Sequence, residues 1–210
     1  AITYVDNTTS VIQQAALELT TANVVKTYDG LLGANGTATV RTGTLFAGDS
    51  LTGGTFAFTD KNNGVGNKTV TVLGMTVGDG TNNGNYAVTY AANTTSTIQK
   101  ATLTVTANAE VKTYDGTLSA SGTATVGALA GSGDAVNSAG SQAFLNKNAG
   151  SSKTVRAAGV TIKDANNVDM SGNYVITYVD NTTSTINKAQ LSAALVGTIQ
   201  KEYDGTTATA

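Results

Sequence analysis

The 210-residue chain contains no cysteine, histidine, proline or tryptophan, and these absences narrow what it does. Without cysteine there is no disulfide and no thiol chemistry. Without histidine there is no Ser-His-Asp triad and no imidazole metal ligand. Charge is scarce as well: 12 Lys and Arg stand against 14 Asp and Glu, only 12% of residues. No basic block offers a surface to nucleic acid or anionic lipid, so neither is expected as a partner. No apolar run approaches the ~18 residues of a membrane-spanning helix, and no membrane insertion is expected. No signal peptide is evident, as expected if the sequence is a piece of a longer, exported protein.

The residues present are mostly Gly, Ala, Thr, Asn and Val, a mixture suited to short strands joined by tight turns. They are organised by a repeat. Lys-Thr-Tyr-Asp-Gly occurs at 26–30 and 112–116, and Lys-Glu-Tyr-Asp-Gly at 201–205. Gly-Asn-Tyr occurs at 84–86 and 172–174, Phe-x-x-Lys-Asn at 58–62 and 144–148, and Tyr-x-x-Asn-Thr-Thr-Ser begins at Tyr4, Tyr90 and Tyr178. All eight tyrosines lie in these markers, which implies that they fix the fold of each unit. The spacing divides the chain into 1–14 (the end of a preceding repeat), complete repeats at 15–100 and 101–188, and 189–210 (the start of a following one). An array cut at arbitrary points has this form, so the parent is expected to continue in both directions. Junctions such as Ile98-Gln-Lys-Ala-Thr-Leu103 hold no Pro, Gly or Ser linker, which predicts a strand running almost directly into the next unit and a stiff rod.

Period-two alternation dominates. Leu103, Val105 and Ala107 alternate with Thr; Val70 and Val72 do so until Gly74, after which Met75 and Val77 resume in the opposite phase, as at a β-bulge. Tyr86, Val88 and Tyr90 share one strand face, and Tyr174, Ile176 and Tyr178 the equivalent one. Asp29-Gly30, Asn63-Gly64 and Asn83-Gly84 read as turns. Residues 129–143 fit no strand pattern and read as a loop or distorted edge. The expected fold is all-β: tandem Ig-like antiparallel β-sandwich repeats of about 86–88 residues forming an elongated rod. The alternative is a β-grasp-like repeat with one short helix.

With its Tyr-Asp-Gly strings at fixed spacing, the chain resembles the YDG-repeat family, found as stalk modules in large bacterial secreted adhesins of the filamentous-haemagglutinin-like and two-partner-secretion kinds. The matching residues are Tyr28-Asp29-Gly30, Tyr114-Asp115-Gly116 and Tyr203-Asp204-Gly205, with Asn85-Tyr86 and Asn173-Tyr174 downstream. The resemblance implies a secreted, extracellular protein at the bacterial cell surface with a role in adhesion, biofilm or surface fibres.

Each candidate site has a structural reading beside a functional one. Tyr-Asp-Gly reads as a core tyrosine followed by a hairpin turn, with Asp bonding its own backbone and Gly supplying positive φ. Calcium is a weak candidate cofactor, with Asp79, Asp164, Asp169 and Asp180 as ligands; no Asp-x-Asp-x-Asp-Gly spacing occurs, and solvated loop carboxylates are the plainer reading. A Lys–Asn isopeptide crosslink at Lys61–Asn62 or Lys147–Asn148 would need a repeated catalytic carboxylate. Glu18, Glu110 and Glu202 occupy unrelated positions, so these lysines read as exposed. Asn7, Asn93 and Asn181 head repeated Asn-Thr-Thr sequons, either glycosylated or simple turn residues, and Asn35 and Asn67 are sequons too. No acidic constellation repeats in a catalytic form, so no enzyme is expected. Two functions remain open: a stalk or self-associating fibre, and a module that binds a glycan or host-surface protein. Expected partners are neighbouring repeats, and other copies paired through the incomplete end strands.

Overall fold

Strands form where Thr, Val, Leu and Ile alternate between turn residues, and in the computed structural model they build two consecutive units of closely similar plan. The structure describes residues 2–81, 83–194, 196–197 and 200–205; the rest of the expected 189–210 start strand lies outside them. Unit 1 holds β1 (Ala15–Thr21), β2 (Val25–Thr27), β3 (Ala38–Gly43), β4 (Leu51–Phe58), β5 (Gly64–Val77), β6 (Tyr86–Tyr90) and β7 (Asn93–Gln99). Unit 2 holds β8 (Ala101–Thr106), β9 (Val111–Thr113), β10 (Ser119–Ala120), β11 (Thr125–Val126), β12 (Ala135–Ser138), β13 (Ser141–Phe144), β14 (Gly150–Ala158), β15 (Thr161–Lys163), β16 (Tyr174–Val179) and β17 (Asn181–Asn187). One 3-10 turn, Ser171–Asn173, is the sole helical element among the described residues, so the β-grasp alternative lacks its helix.

Each unit has two main sheets. Unit 1 orders them β3-β1-β6 and β2-β7-β5-β4; unit 2 has β11-β8-β16 and β10-β13-β14-β17-β9, with β12-β15 as a separate pair. The expected all-β class is what forms, but the sheets are mixed rather than wholly antiparallel. β1 runs parallel to β6, with Leu17 opposite Val88, and β2 parallel to β7; β8 with β16 and β9 with β17 repeat this. Parallel pairing requires a long crossover, and here the intervening strands of the unit supply it.

Gly74 has φ +69° and Gly159 φ +77°. At this point unit 1 continues as the single strand β5, while unit 2 divides into β14 and β15. The stretch 129–143 is not all loop: it contains β12 and most of β13, paired with β15 and β14. Its Ala, Gly and Ser side chains give little alternation, but main-chain pairing does not depend on them.

Leu17, Leu19, Val72, Val77 and Tyr86, from both ends of the unit 1 sequence, form one apolar cluster. A second begins in the same unit, at Val24, Tyr28, Phe58, Val70 and Ile98, and continues without a break through Ala101 and Leu103 into Phe144, Val155 and Tyr174 of unit 2. Only Lys100 separates β7 from β8.

Residues 2–14 form no strand and are exposed almost throughout, and residues 189–194 likewise form none. The incomplete end strands expected there do not form within the single chain. A strand equivalent to β7 needs β5 and β2 as neighbours, and at 2–14 these are lacking.

Candidate interface between repeats

The Lys-x-Tyr-Asp-Gly motif starts on β2 or β9, an edge of its sheet. The lysine side chain turns inward rather than to solvent. Lys26 Nζ donates to Asp29 Oδ1 at 2.7 Å, to the Leu31 carbonyl at 2.6 Å and to the Gly33 carbonyl at 3.0 Å. The ammonium also lies 5.4 Å from the Phe58 ring centroid, within cation–π range. Gly33 bridges to Ala57 on β4, the opposite edge of the sheet. One lysine therefore fastens two sheet edges together, and the Asp-Gly turn joins those edges instead of closing a hairpin. Lys112 repeats the arrangement, with Asp115 Oδ1 at 2.8 Å, the Ser119 carbonyl at 3.0 Å and Phe144 beneath. The Lys112 hydrogen bond, with the Thr117 backbone and hydroxyl, holds the Asp115 carboxyl well below the usual carboxylate range. For Asp29, burial works the other way, but Lys26 and the Leu31 N–H outweigh it and leave the group below its ordinary value. In the third copy the local ion pair Lys201–Asp204 forms at 2.6 Å.

The tyrosine of the motif does more than fill its own unit. Tyr28 is 1% exposed, and its ring stands edge-on to Tyr174 of unit 2, with centroids 5.6 Å apart. Its hydroxyl donates to Asp134 Oδ2 at 3.0 Å, and the Tyr174 hydroxyl donates to the same oxygen at 2.8 Å. The Gly131 N–H donates to the Tyr174 hydroxyl at 2.9 Å, and the Ser132 N–H to the Asp29 carbonyl at 2.8 Å. Burial, then the hydrogen bond to Asp134, raises the Tyr28 phenol. Burial and Asp134 push Tyr174 up to about 12, against the opposing Gly131 N–H. Gly30, at φ +76°, packs so closely that a Cβ there would lie 2.5 Å from the Ser132 nitrogen.

Around this centre the two units exchange further bonds. The Asn63 N–H donates to Asn173 Oδ1 at 2.8 Å, and Asn173 Nδ2 donates to Asn62 Oδ1 at 3.0 Å. Lys61 pairs with Asp164 at 3.4 Å; it is half-buried rather than exposed as expected, because the neighbouring unit covers it. Lys147, its counterpart, is exposed.

Within unit 1 the same Tyr–Asp pair recurs: Tyr86 donates to Asp49 Oδ2 at 2.5 Å, and the Phe46 N–H donates to the Tyr86 hydroxyl at 3.0 Å. Asp49 and Asp134 escaped the sequence reading. The signal was present, since Gly48-Asp49 recurs as Gly133-Asp134. The inward role of Lys26 and Lys112 was missed because a lysine on a short polar strand ordinarily faces water. The other two tyrosines of the motif lie outside any core: Tyr114 is 40% exposed and Tyr203 98%.

The remaining candidates are dispersed. Asp79 accepts from the Thr81 and Asn85 N–H groups, Asp164 from Asn166 and Val168, and Asp169 from Ser171. Asp180 makes a two-point bond to Arg156. No group of three potential metal ligands converges among the described residues. Asn93 Nδ2 donates to the Thr21 carbonyl and to Asn23, so both its hydrogens are engaged. Asn93 and Asn181 also orient the buried Ser96 and Ser184, whose hydroxyls accept the Val24 and Glu110 N–H groups. Asn7 Oδ1 accepts from Thr9. Tyr90 and Tyr178 turn their hydroxyls to the Met75 and Val160 N–H groups, just past the positive-φ glycines Gly74 and Gly159. No helix among the described residues is long and apolar enough to cross a membrane.

Among protein-family models, the one described as the YDG domain matches the chain twice, over residues 13–96 and 99–184. No curated protein and no solved structure matches the chain.

Proposed function

The chain belongs to the YDG domain family, and from that premise we propose that its repeats act as a stiff structural spacer, a stalk or fibre segment of a secreted bacterial surface or biofilm-matrix adhesin. Its work is mechanical rather than catalytic: it spans distance and holds neighbouring units at a fixed angle. The observation that carries this reading is the Tyr28–Asp134–Tyr174 junction, where a motif tyrosine of one unit is buried in the next. A flexible string of beads would leave that tyrosine in its own unit or in water. The apolar cluster continuous across the junction supports the same reading. Glycan recognition is less well supported, since Tyr90 and Tyr178 are half-buried and spend their hydroxyls on the backbone.

Small-angle X-ray scattering on the wild type and on Tyr28→Ala, with and without a calcium chelator, tests the reading. We expect a rod for the wild type that chelation leaves unchanged, and a broader distribution of end-to-end distances for Tyr28→Ala. Units lying side by side in the wild type would overturn the spacer function, and a rod that bends on chelation would assign the junction carboxylates to a metal.

A further inference from the structure

Tension along a spacer enters a unit at its first strand and leaves at its last, so what joins those strands decides what the unit withstands. In both units they lie side by side. β8 runs parallel to β16, from Ala101 opposite Tyr174 to Thr106 opposite Val179. The strands that follow, β9 and β17, stay together from Val111 opposite Thr185 to Thr113 opposite Asn187. The first segment of unit 2, 101–113, is therefore parallel to its last, 174–187. In unit 1, β1 and β2 accompany β6 and β7 in the same way.

Both segments pass from one sheet to the other midway, and the first strands are interrupted there, at 22–24 and 107–110. The repeated Asn-Thr-Thr-Ser motif closes the gap. Ser184 Oγ accepts the Glu110 N–H at 3.0 Å and donates to Asn181 Oδ1 at 2.9 Å, and the Thr185 N–H donates to the Glu110 carbonyl at 2.9 Å. Ser96 Oγ likewise accepts the Val24 N–H at 3.0 Å and donates to Asn93 Oδ1 at 2.9 Å, while Asn93 Nδ2 reaches the Thr21 carbonyl at 3.1 Å. A turn accounts only for the local bonds from the Thr95 and Thr183 N–H groups to the asparagines; the bonds across to the first segment go beyond it. Both serines are 0% exposed, so water does not take over a bond that is being stretched.

We propose that each unit bears tension along the chain, with the Asn-Thr-Thr-Ser motif clamping its last segment to its first. The proposal rests on the spacer reading for the direction of the load, and adds that the spacer resists extraction of its strands. Because the segments are parallel, pulling Ala101 and Asn187 apart slides one along the other. Every rung and the serine bond are then strained together. A pull across the segments at one end opens the rungs one at a time. Each bond is weak alone, and the direction of loading decides whether they add.

The chain has no cysteine, so introduced thiols fix the points of loading in single-molecule force spectroscopy on the full chain. Lys100, Thr113 and Lys188 are exposed. Handles at Lys100→Cys and Lys188→Cys load unit 2 along its two segments; handles at Thr113→Cys and Lys188→Cys peel them from one end. The first pair should need a several-fold higher force. Ser184→Ala leaves the Glu110 N–H without its acceptor, and should speed unfolding of the first pair at a given force about tenfold. Ile162→Val, in the buried face of β15 and outside the two segments, should lower the midpoint of denaturant unfolding yet leave that forced rate unchanged. Equal forces for the two handle pairs would overturn the clamp, while the spacer, which depends on shape, would still stand or fall by the scattering. A forced rate for Ser184→Ala equal to that of the wild type would overturn the role assigned to the motif.

Discussion

Gly30 and Gly116 have the same sequence neighbours on their N-terminal side and nearly the same backbone, φ +76° and +78°, yet only Gly30 touches another unit. The pair separates the two demands that the motif glycine answers. Left-handed φ alone makes alanine cost about 1 kcal/mol. Gly116→Ala should lose about that much in urea unfolding. Gly30→Ala adds a Cβ 2.5 Å from the Ser132 nitrogen, and overpacking of that kind costs about 1–3 kcal/mol more. Equal losses in the two variants would mean that the junction tolerates the displacement and does not select glycine. The need for positive φ was legible in the sequence, since Asp-Gly is ordinary turn chemistry. The close approach was not, because it depends on residues about 100 positions away.

At the scale of the element, β2 and β9 are only three residues long and would be poor strands alone. What holds them is the lysine in their middle, which spans from its own edge to the far one. Lys112→Met keeps most of the aliphatic stem over Phe144 but removes the donors to Asp115, Thr117 and Ser119. We expect a loss of about 2–3 kcal/mol in denaturant unfolding, since hydrogen bonds from a largely buried charged group are at stake. A loss below about 0.5 kcal/mol, the range of an ordinary surface substitution, would reduce the lysine to a bystander. Longer strands announced themselves: β1, β8 and β5 show clean alternation, and Gly74 marks the change of buried phase between Val72 and Met75, although the β4–β5 register passes it without the shift of a bulge. The parallel pairing of β1 with β6 did not, because alternation states which face a strand buries and says nothing of its neighbour's direction. β12 was hidden because its small and polar side chains leave only Val136 to signal it.

For the whole molecule, the shared apolar cluster implies that the two units do not lose their structure independently. The alkaline limb of stability tests this. The Tyr174 phenol stands at about 12 in the folded protein against an ordinary 10.0, and Tyr28 is raised as well. A raised folded value favours the folded junction below about pH 10 and withdraws that support as pH climbs towards about 12. Unfolding should therefore be one transition near neutral pH and resolve into two, the junction yielding first, above about pH 10. Tyr28→Phe should flatten that dependence; an unchanged alkaline slope would show that the phenols carry none of the coupling. The arrangement of the two half-junctions at opposite ends of each unit has a further consequence, for heredity. An in-frame duplication or deletion of one unit leaves a Tyr-Asp-Gly turn beside a Tyr–Asp pair at every seam. Array length can thus change in a single genetic event, with Phe46, which stands where unit 2 has Gly131, as the one side chain to be refitted wherever a copy of unit 1 follows another unit.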